Sequence, residues 1–104
     1  MKIKDLLDVI DFSMYDYDIR MSCFEYEYAK ENTIMSQFGS LYKDGYAICF
    51  EIDWSKRASV TVKEMLDKQY NPDYDLISWD EDDGNIIDFE HIIVDRHNGL
   101  IVLA

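Results

Sequence analysis

The stretch DGYAICFEIDW, residues 44–54, decides the fold class. Asp44-Gly45 supplies the positive φ that a tight hairpin turn needs. Beyond it, Tyr46, Ile48, Phe50, Ile52 and Trp54 alternate with Ala47, Cys49, Glu51 and Asp53. A period of two sends successive side chains to opposite faces of a strand. The spacing therefore predicts a central strand whose core face is Tyr46, Ile48, Phe50, Ile52 and Trp54. Ser55-Lys56-Arg57 ends it and carries the only adjacent basic pair in the chain.

Upstream, Ile3, Leu6, Leu7 and Ile10 fall at i, i+3, i+4 and i+7, one apolar face of a short helix over about residues 2–11. Lys2 and Lys4 sit at its unfavourable end, so packing must hold it. From Tyr17 to Cys23 the period is two, a half-buried strand. At Phe24 the phase flips, and Phe24, Tyr26 and Tyr28 alternate with Glu25 and Glu27. A bulge or a strand running past the first layer accounts for such a flip. Lys30-Glu31-Asn32 reads as a turn, and Thr33 to Tyr42 as a second strand weakened at Gly39.

Downstream, Thr61-Val62-Lys63-Glu64 fits a capping box, and Asn71-Pro72 stops the helix it opens, over about residues 62–70. Leu76 to Trp79 reads as a short strand and Asp80 to Asn85 as a loop. Ile86 to Arg96 and Leu100 to Ala104 read as strands joined near Asn98-Gly99. The order is about α-β-β-β-α-β-β-β. The class is α+β, one antiparallel sheet with two short helices in a single domain over residues 1–104. Cys23 and Cys49 lack CxxC spacing and read as buried free thiols.

Charge carries the functional reading. The chain holds 22 acids against 10 bases, a net of -12. That exceeds the roughly 2–8 that keeps a small domain soluble, and self-repulsion opposes folding. Residues 1–50 carry a net of -4 and residues 51–104 a net of -8. Nucleic acid and anionic membrane are poor direct ligands for such a chain. Its apolar runs are shorter than the about 20 residues that a membrane span needs, and its N-terminus lacks a secretory pattern. The expected location is the cytoplasm. The acids concentrate in DYDLISWDEDDGNIIDFE, residues 73–90, which contains no Lys or Arg. Because Tyr74, Trp79 and strand-like apolar residues interrupt the run, it reads as fixed carboxylates on a folded scaffold and not as a solvated tail.

Catalytic and metal signatures fail on spacing. With Gly84 at position six of a calcium loop, Trp79 falls at position one. Starting at Asp80 puts Asn85 at six and His91 at twelve. His91 and His97 lack further zinc ligands at suitable spacing. Carboxylates abound, but no pair stands out for acid–base work. No catalytic residue, metal or cofactor is assigned.

The opening MKIKDLLDVID and the closing HIIVDRHNGLIVLA resemble small acidic proteins encoded by phages and mobile elements of low-GC Gram-positive bacteria. Some small acidic phage proteins are anti-CRISPR proteins that resemble DNA in charge. The resemblance implies a phage origin and action in the host cytoplasm. It carries no functional residue across.

The expected function is non-enzymatic: an acidic inhibitor that mimics nucleic acid and blocks the basic DNA-binding surface of a nuclease. A CRISPR effector such as Cas9 is the first partner to consider, since arginines read its target flank. The expected partner-binding residues are Asp73, Tyr74, Asp75, Trp79, Asp80, Glu81, Asp82, Asp83, Asp88 and Glu90. An immunity protein that neutralises a nuclease toxin is the alternative of the same class. A small hydrolase using a carboxylate pair is the alternative of another. Oligomeric state is not legible.

Overall fold

A computed structural model describes residues 1–80 and 82–104. Three short helices, α1 (Ile3–Leu7), α2 (Tyr26–Glu31) and α3 (Val62–Asp67), accompany eight strands. The strands are β1 (Asp18–Met21), β2 (Gly39–Asp44), β3 (Ala47–Ile52), β4 (Val60–Thr61), β5 (Asp75–Trp79), β6 (Ile86–Asp88), β7 (Ile92–Asp95) and β8 (Leu100–Leu103). The class is α+β. The single antiparallel sheet is corrected to two four-stranded mixed sheets, ordered β4-β1-β8-β7 and β2-β3-β5-β6, and the two helices to three. Both sheets share one plan. A central parallel pair, β1 with β8 or β3 with β5, is flanked by antiparallel partners.

One core joins the inner faces. Ile19, Met21, Ile101 and Leu103 come from the first sheet, Ile48, Phe50 and Leu76 from the second, and Ile3, Leu6, Val62 and Met65 from α1 and α3. The Thr61 hydroxyl accepts from the Glu64 amide at 3.2 Å, capping α3 where the sequence places the box. The first helix stops at Leu7, short of Ile10, and a 3₁₀ turn follows at Phe12–Met14. A 3₁₀ turn at Thr33–Met35 also replaces the start of the expected second strand.

The segment after Cys23 is helix, not strand. Tyr26 and Ala29 lie one turn apart and pack on Ile93, Leu100 and Val102, the outer face of the first sheet. Burial of this stripe overrides the local alternation of aromatics and acids. The expected strand Ile86 to Arg96 is two strands in different sheets. Phe89, fully buried, sits where the chain crosses between them, and the Glu90 and His91 amides both donate to the Ala104 carbonyl. Cys49 is buried, whereas Cys23 is exposed.

The hairpins follow their turn residues. Asp44 pairs with Ala47 across Gly45, whose φ is 60°. The core face of β3 is narrower than the alternation suggests. Ile48 and Phe50 are 0% and 1% exposed and Ile52 is half-buried, but Tyr46 is 84% and Trp54 66% exposed, because the strand runs only from Ala47 to Ile52. Its other face is not solvated throughout, since Cys49 is fully buried.

Gly39 stands across from Ile52 and beside the Phe50 ring. A Cβ there would lie 2.2 Å from the Glu51 carbonyl oxygen and 2.5 Å from the ring. Truncating Phe50 to Ala is expected to cost about 3–5 kcal/mol. Gly39→Ala is expected to destabilise as well, since backbone must move to admit one methyl. Urea denaturation midpoints check both, and an unchanged midpoint for either variant contradicts this packing.

Candidate functional site

The ten expected binding residues divide into groups. Asp73 and Asp75 flank Tyr74 at the start of β5, where α1 and its N-cap Lys2 supply counter-charges: Lys2 Nζ lies 3.3 Å from Asp75 and Lys4 Nζ 4.0 Å from Asp73. Asp88, opposite Ile77 in β6, is paired with the N-terminal amine. Tyr74 is half-buried, edge-on to Tyr46 with ring centroids 5.9 Å apart. Glu90 is exposed in the crossover between the sheets. Trp79, Asp80, Asp82 and Asp83 gather at the other end of β5, roughly 16 Å along the strand from Tyr74. Glu81 lies outside the described residues. The structure thus brings Trp79, Asp80, Asp82 and Asp83 together and separates them from Asp73, Tyr74 and Asp75.

The acidic tip is ordered by its own side chains. Asp80 Oδ1 accepts the Asp82 amide at 3.0 Å, and Asp83 Oδ1 accepts the Asn85 amide at 2.9 Å. The Asp80 amide donates to the Asn85 carbonyl and the Gly84 amide to the Asp80 carbonyl, both at 2.8 Å. Among the described residues, no Lys or Arg lies within ion-pair distance of Asp80, Asp82 or Asp83.

This tip borders a cleft of about 710 Å³. Its walls are the carboxyl ends of both central pairs: Met21 at the end of β1 with Ser22 and Cys23 beyond it, Ala104 after β8, Ile52 at the end of β3, and Trp79 with Asp80 at the end of β5. Parallel pairing brings like ends together, so each sheet contributes two strand termini to one place. Phe24, Tyr42, Glu51 and Trp54 also line the cleft. None was singled out from sequence as a site residue. Trp54 follows the strand alternation that predicts a core position; its place directly before the breaker Ser55-Lys56-Arg57 is the only sequence signal against that.

Titration behaviour fits an apolar, negative setting. Desolvation, and second the Asp80 carboxylate, push the Cys23 thiol above its ordinary value. Desolvation also raises Tyr42, with Cys49 and Glu51 adding to the effect. A thiol held protonated is a poor nucleophile. His91 is stacked on Tyr26 at 4.0 Å between ring centroids. Among the described residues, no three His, Cys, Asp or Glu side chains are grouped so as to hold a metal ion. Among the described residues, no helix is long and apolar enough to cross a membrane.

The chain matches no family model, no curated protein and no solved structure.

A raised pKa leaves less thiolate at any pH below it. Cys23 is therefore expected to alkylate with iodoacetamide more slowly at pH 8 than a cysteine in an unstructured peptide. Asp80→Asn should speed the reaction and move its pH profile down. Mass spectrometry of the Cys23 peptide measures both, and an unchanged profile in the variant contradicts the Asp80 contribution.

Proposed function

We propose that this chain is a non-enzymatic binding protein whose acidic β5–β6 tip occupies the basic nucleic-acid-binding surface of another protein, a nuclease. The observation that carries the reading is the division of the acids. Those at the start of β5 are neutralised by the chain's own Lys2 and Lys4, whereas Asp80, Asp82 and Asp83 are left without a cation among the described residues, and the carboxylates of Asp80 and Asp83 are tied to backbone amides. Carboxylates held in this way can stand in for phosphates before lysines and arginines that otherwise grip DNA. Trp79 beside them is half-exposed and offers an aromatic anchor of the kind enriched at interface centres. The resemblance of the chain ends to small phage proteins favours a bacterial defence nuclease, with a CRISPR effector the first to test.

The hydrolase alternative would draw its carboxylate pair from Glu51, Asp80 and Asp82, which line the cleft, and nothing singles out two of them for acid and base roles. An immunity protein for a nuclease toxin would use the same surface and differs only in the partner.

The test begins with capture of the partner from a host lysate and its identification by mass spectrometry. Double-stranded DNA should compete with the chain for that partner. The variant D80N/D82N/D83N should fold as stably as the parent or more so, since like charges crowd the tip. It should bind about tenfold or more weakly, chiefly through slower association. Raising salt should weaken the parent more than the variant, because exposed charges are screened over about 10 Å at 0.1 M. A partner with no nucleic-acid-binding surface, or a variant that binds like the parent at both salt concentrations, overturns the reading.

A further inference from the structure

The cleft beside the acidic tip has features that the tip alone does not. Five aromatic side chains line it: Phe24, Tyr42, Phe50, Trp54 and Trp79. Three carboxylates do so as well, Glu51, Asp80 and Asp82, and no Lys or Arg does. Elsewhere the fold covers aromatic faces with its own cations. Arg20 lies over Phe38 at 3.9 Å, Lys30 over Tyr26 at 5.2 Å and Lys43 over Tyr74 at 5.3 Å. Among the described residues, neither Trp54 nor Trp79 has a cation over its ring or another ring stacked on it. Tryptophan is the strongest cation–π acceptor of the three aromatics, so the chain leaves its two best faces unused.

Both tryptophans are rooted in tied turns. Trp54 follows Asp53, whose carboxylate accepts the Ser55 amide at 2.9 Å, the Arg57 amide at 3.2 Å and the Ala58 amide at 2.6 Å, while its own amide donates to the Phe38 carbonyl at 2.8 Å. Trp79 pairs with Ile86, and the Asp80 amide that follows it donates to the Asn85 carbonyl at 2.8 Å. The backbone at each ring is fixed before any ligand arrives, which reduces the ordering cost of binding.

From these features we propose that the cleft receives an arginine side chain presented by the partner protein, its guanidinium lying among the tryptophan faces and meeting the carboxylates of Glu51, Asp80 and Asp82. This rests on the functional reading above and names what the basic surface inserts. Arginine suits the cleft better than lysine. Its guanidinium is weakly hydrated, stacks flat on aromatic rings and can bond a carboxylate through two donors. The volume, about 710 Å³, falls in the range of ligand clefts and exceeds one side chain, leaving room for the residues that flank the arginine.

The chain contains two tryptophans, and both line the cleft, so intrinsic tryptophan fluorescence reports on this site alone. The full chain is titrated with blocked tripeptides Gly-Xaa-Gly in which Xaa is arginine, lysine or citrulline, and with free guanidinium. The arginyl peptide should give a saturable change. The lysyl peptide should bind several-fold more weakly, and the neutral citrullinyl peptide should give no saturable change. Guanidinium alone should bind more weakly than the arginyl peptide if the flanking space is used. Trp54→Leu, at a largely exposed position, should keep the fold by circular dichroism. It should weaken the arginyl peptide about tenfold, read through Trp79. No saturable change with arginine, equal binding of citrulline, or an unaffected Trp54→Leu overturns the proposal. So does guanidinium binding as tightly as the arginyl peptide, which makes the cleft a small-cation site. The two readings separate on the captured partner. If D80N/D82N/D83N loses the partner while Trp54→Leu keeps it, the acidic tip stands and the arginine cleft fails. If the peptides bind as described and Trp54→Leu loses the partner, but that partner has no nucleic-acid-binding surface, the cleft stands and the mimicry fails.

Discussion

Two parallel strand pairs, β1 with β8 and β3 with β5, constrain everything else in this fold. A parallel pair cannot be closed by a tight turn, so chain must cross over between its members. Between β3 and β5 that crossover carries β4 to the other sheet and then α3, whose Val62 and Met65 cap the core. Between β1 and β8 nearly the whole chain intervenes. Each sheet therefore needs the other to be complete: β4 leaves the β3–β5 connection to pair with β1, and β6 is followed at once by β7 in the opposite sheet. The same pairing sets strand termini of one polarity side by side. Termini cannot pair onward, and the space they leave is the cleft.

Hairpins were legible in the sequence because their information is local. Asp44-Gly45 and Asn98-Gly99 name their own turns, and both glycines adopt positive φ, 60° and 65°. Parallel partners carry no comparable mark. Nothing in Asp18–Met21 specifies Leu100–Leu103, some eighty positions away. The alternation at Tyr26 and Tyr28 misled for a related reason. A six-residue helix shows fewer than two turns of its period, so Tyr26 and Ala29 cannot outvote an aromatic–acid alternation until the first sheet provides a surface to bury them. At Tyr46 and Trp54 the alternation was real but outran the strand, and pattern alone does not say where a partner ends.

The acids were equally uneven to read. Their number and their concentration in residues 73–90 are plain in the sequence. Their neutralisation is not, because Lys2 and Lys4 reach Asp75 and Asp73 from some seventy residues away. Several acids outside that run serve the backbone instead of a partner. Asp11, Asp53 and Asp95 are each held below the usual carboxylate range, first by hydroxyl hydrogen bonds from Ser13, Ser55 and Thr33 respectively. A high acid count thus mixes carboxylates that form turns, carboxylates paired with cations and, at the β5–β6 tip, carboxylates with no cation among the described residues, two of which also accept turn amides.

That last group is not forced on the fold by a lack of cations. Among the described residues, Lys43, Lys56, Arg57 and Lys68 have no carboxylate within ion-pair distance, yet none is placed at the β5–β6 tip. Exposed ion pairs contribute little to stability, at most about 1 kcal/mol, so stability does not decide where such cations go. Potential does. Clustered charge of one sign beside low-dielectric walls focuses the field at its mouth and accelerates encounter with the opposite sign. Phe24, Trp54 and Trp79 are such walls, and Asp80 and Asp82 stand at their edge. A cation of the chain's own at this point would cancel the field and cover a tryptophan face. Its absence there keeps charge and aromatic surface free at one location, and the acidic tip and the cleft are best understood as a single surface.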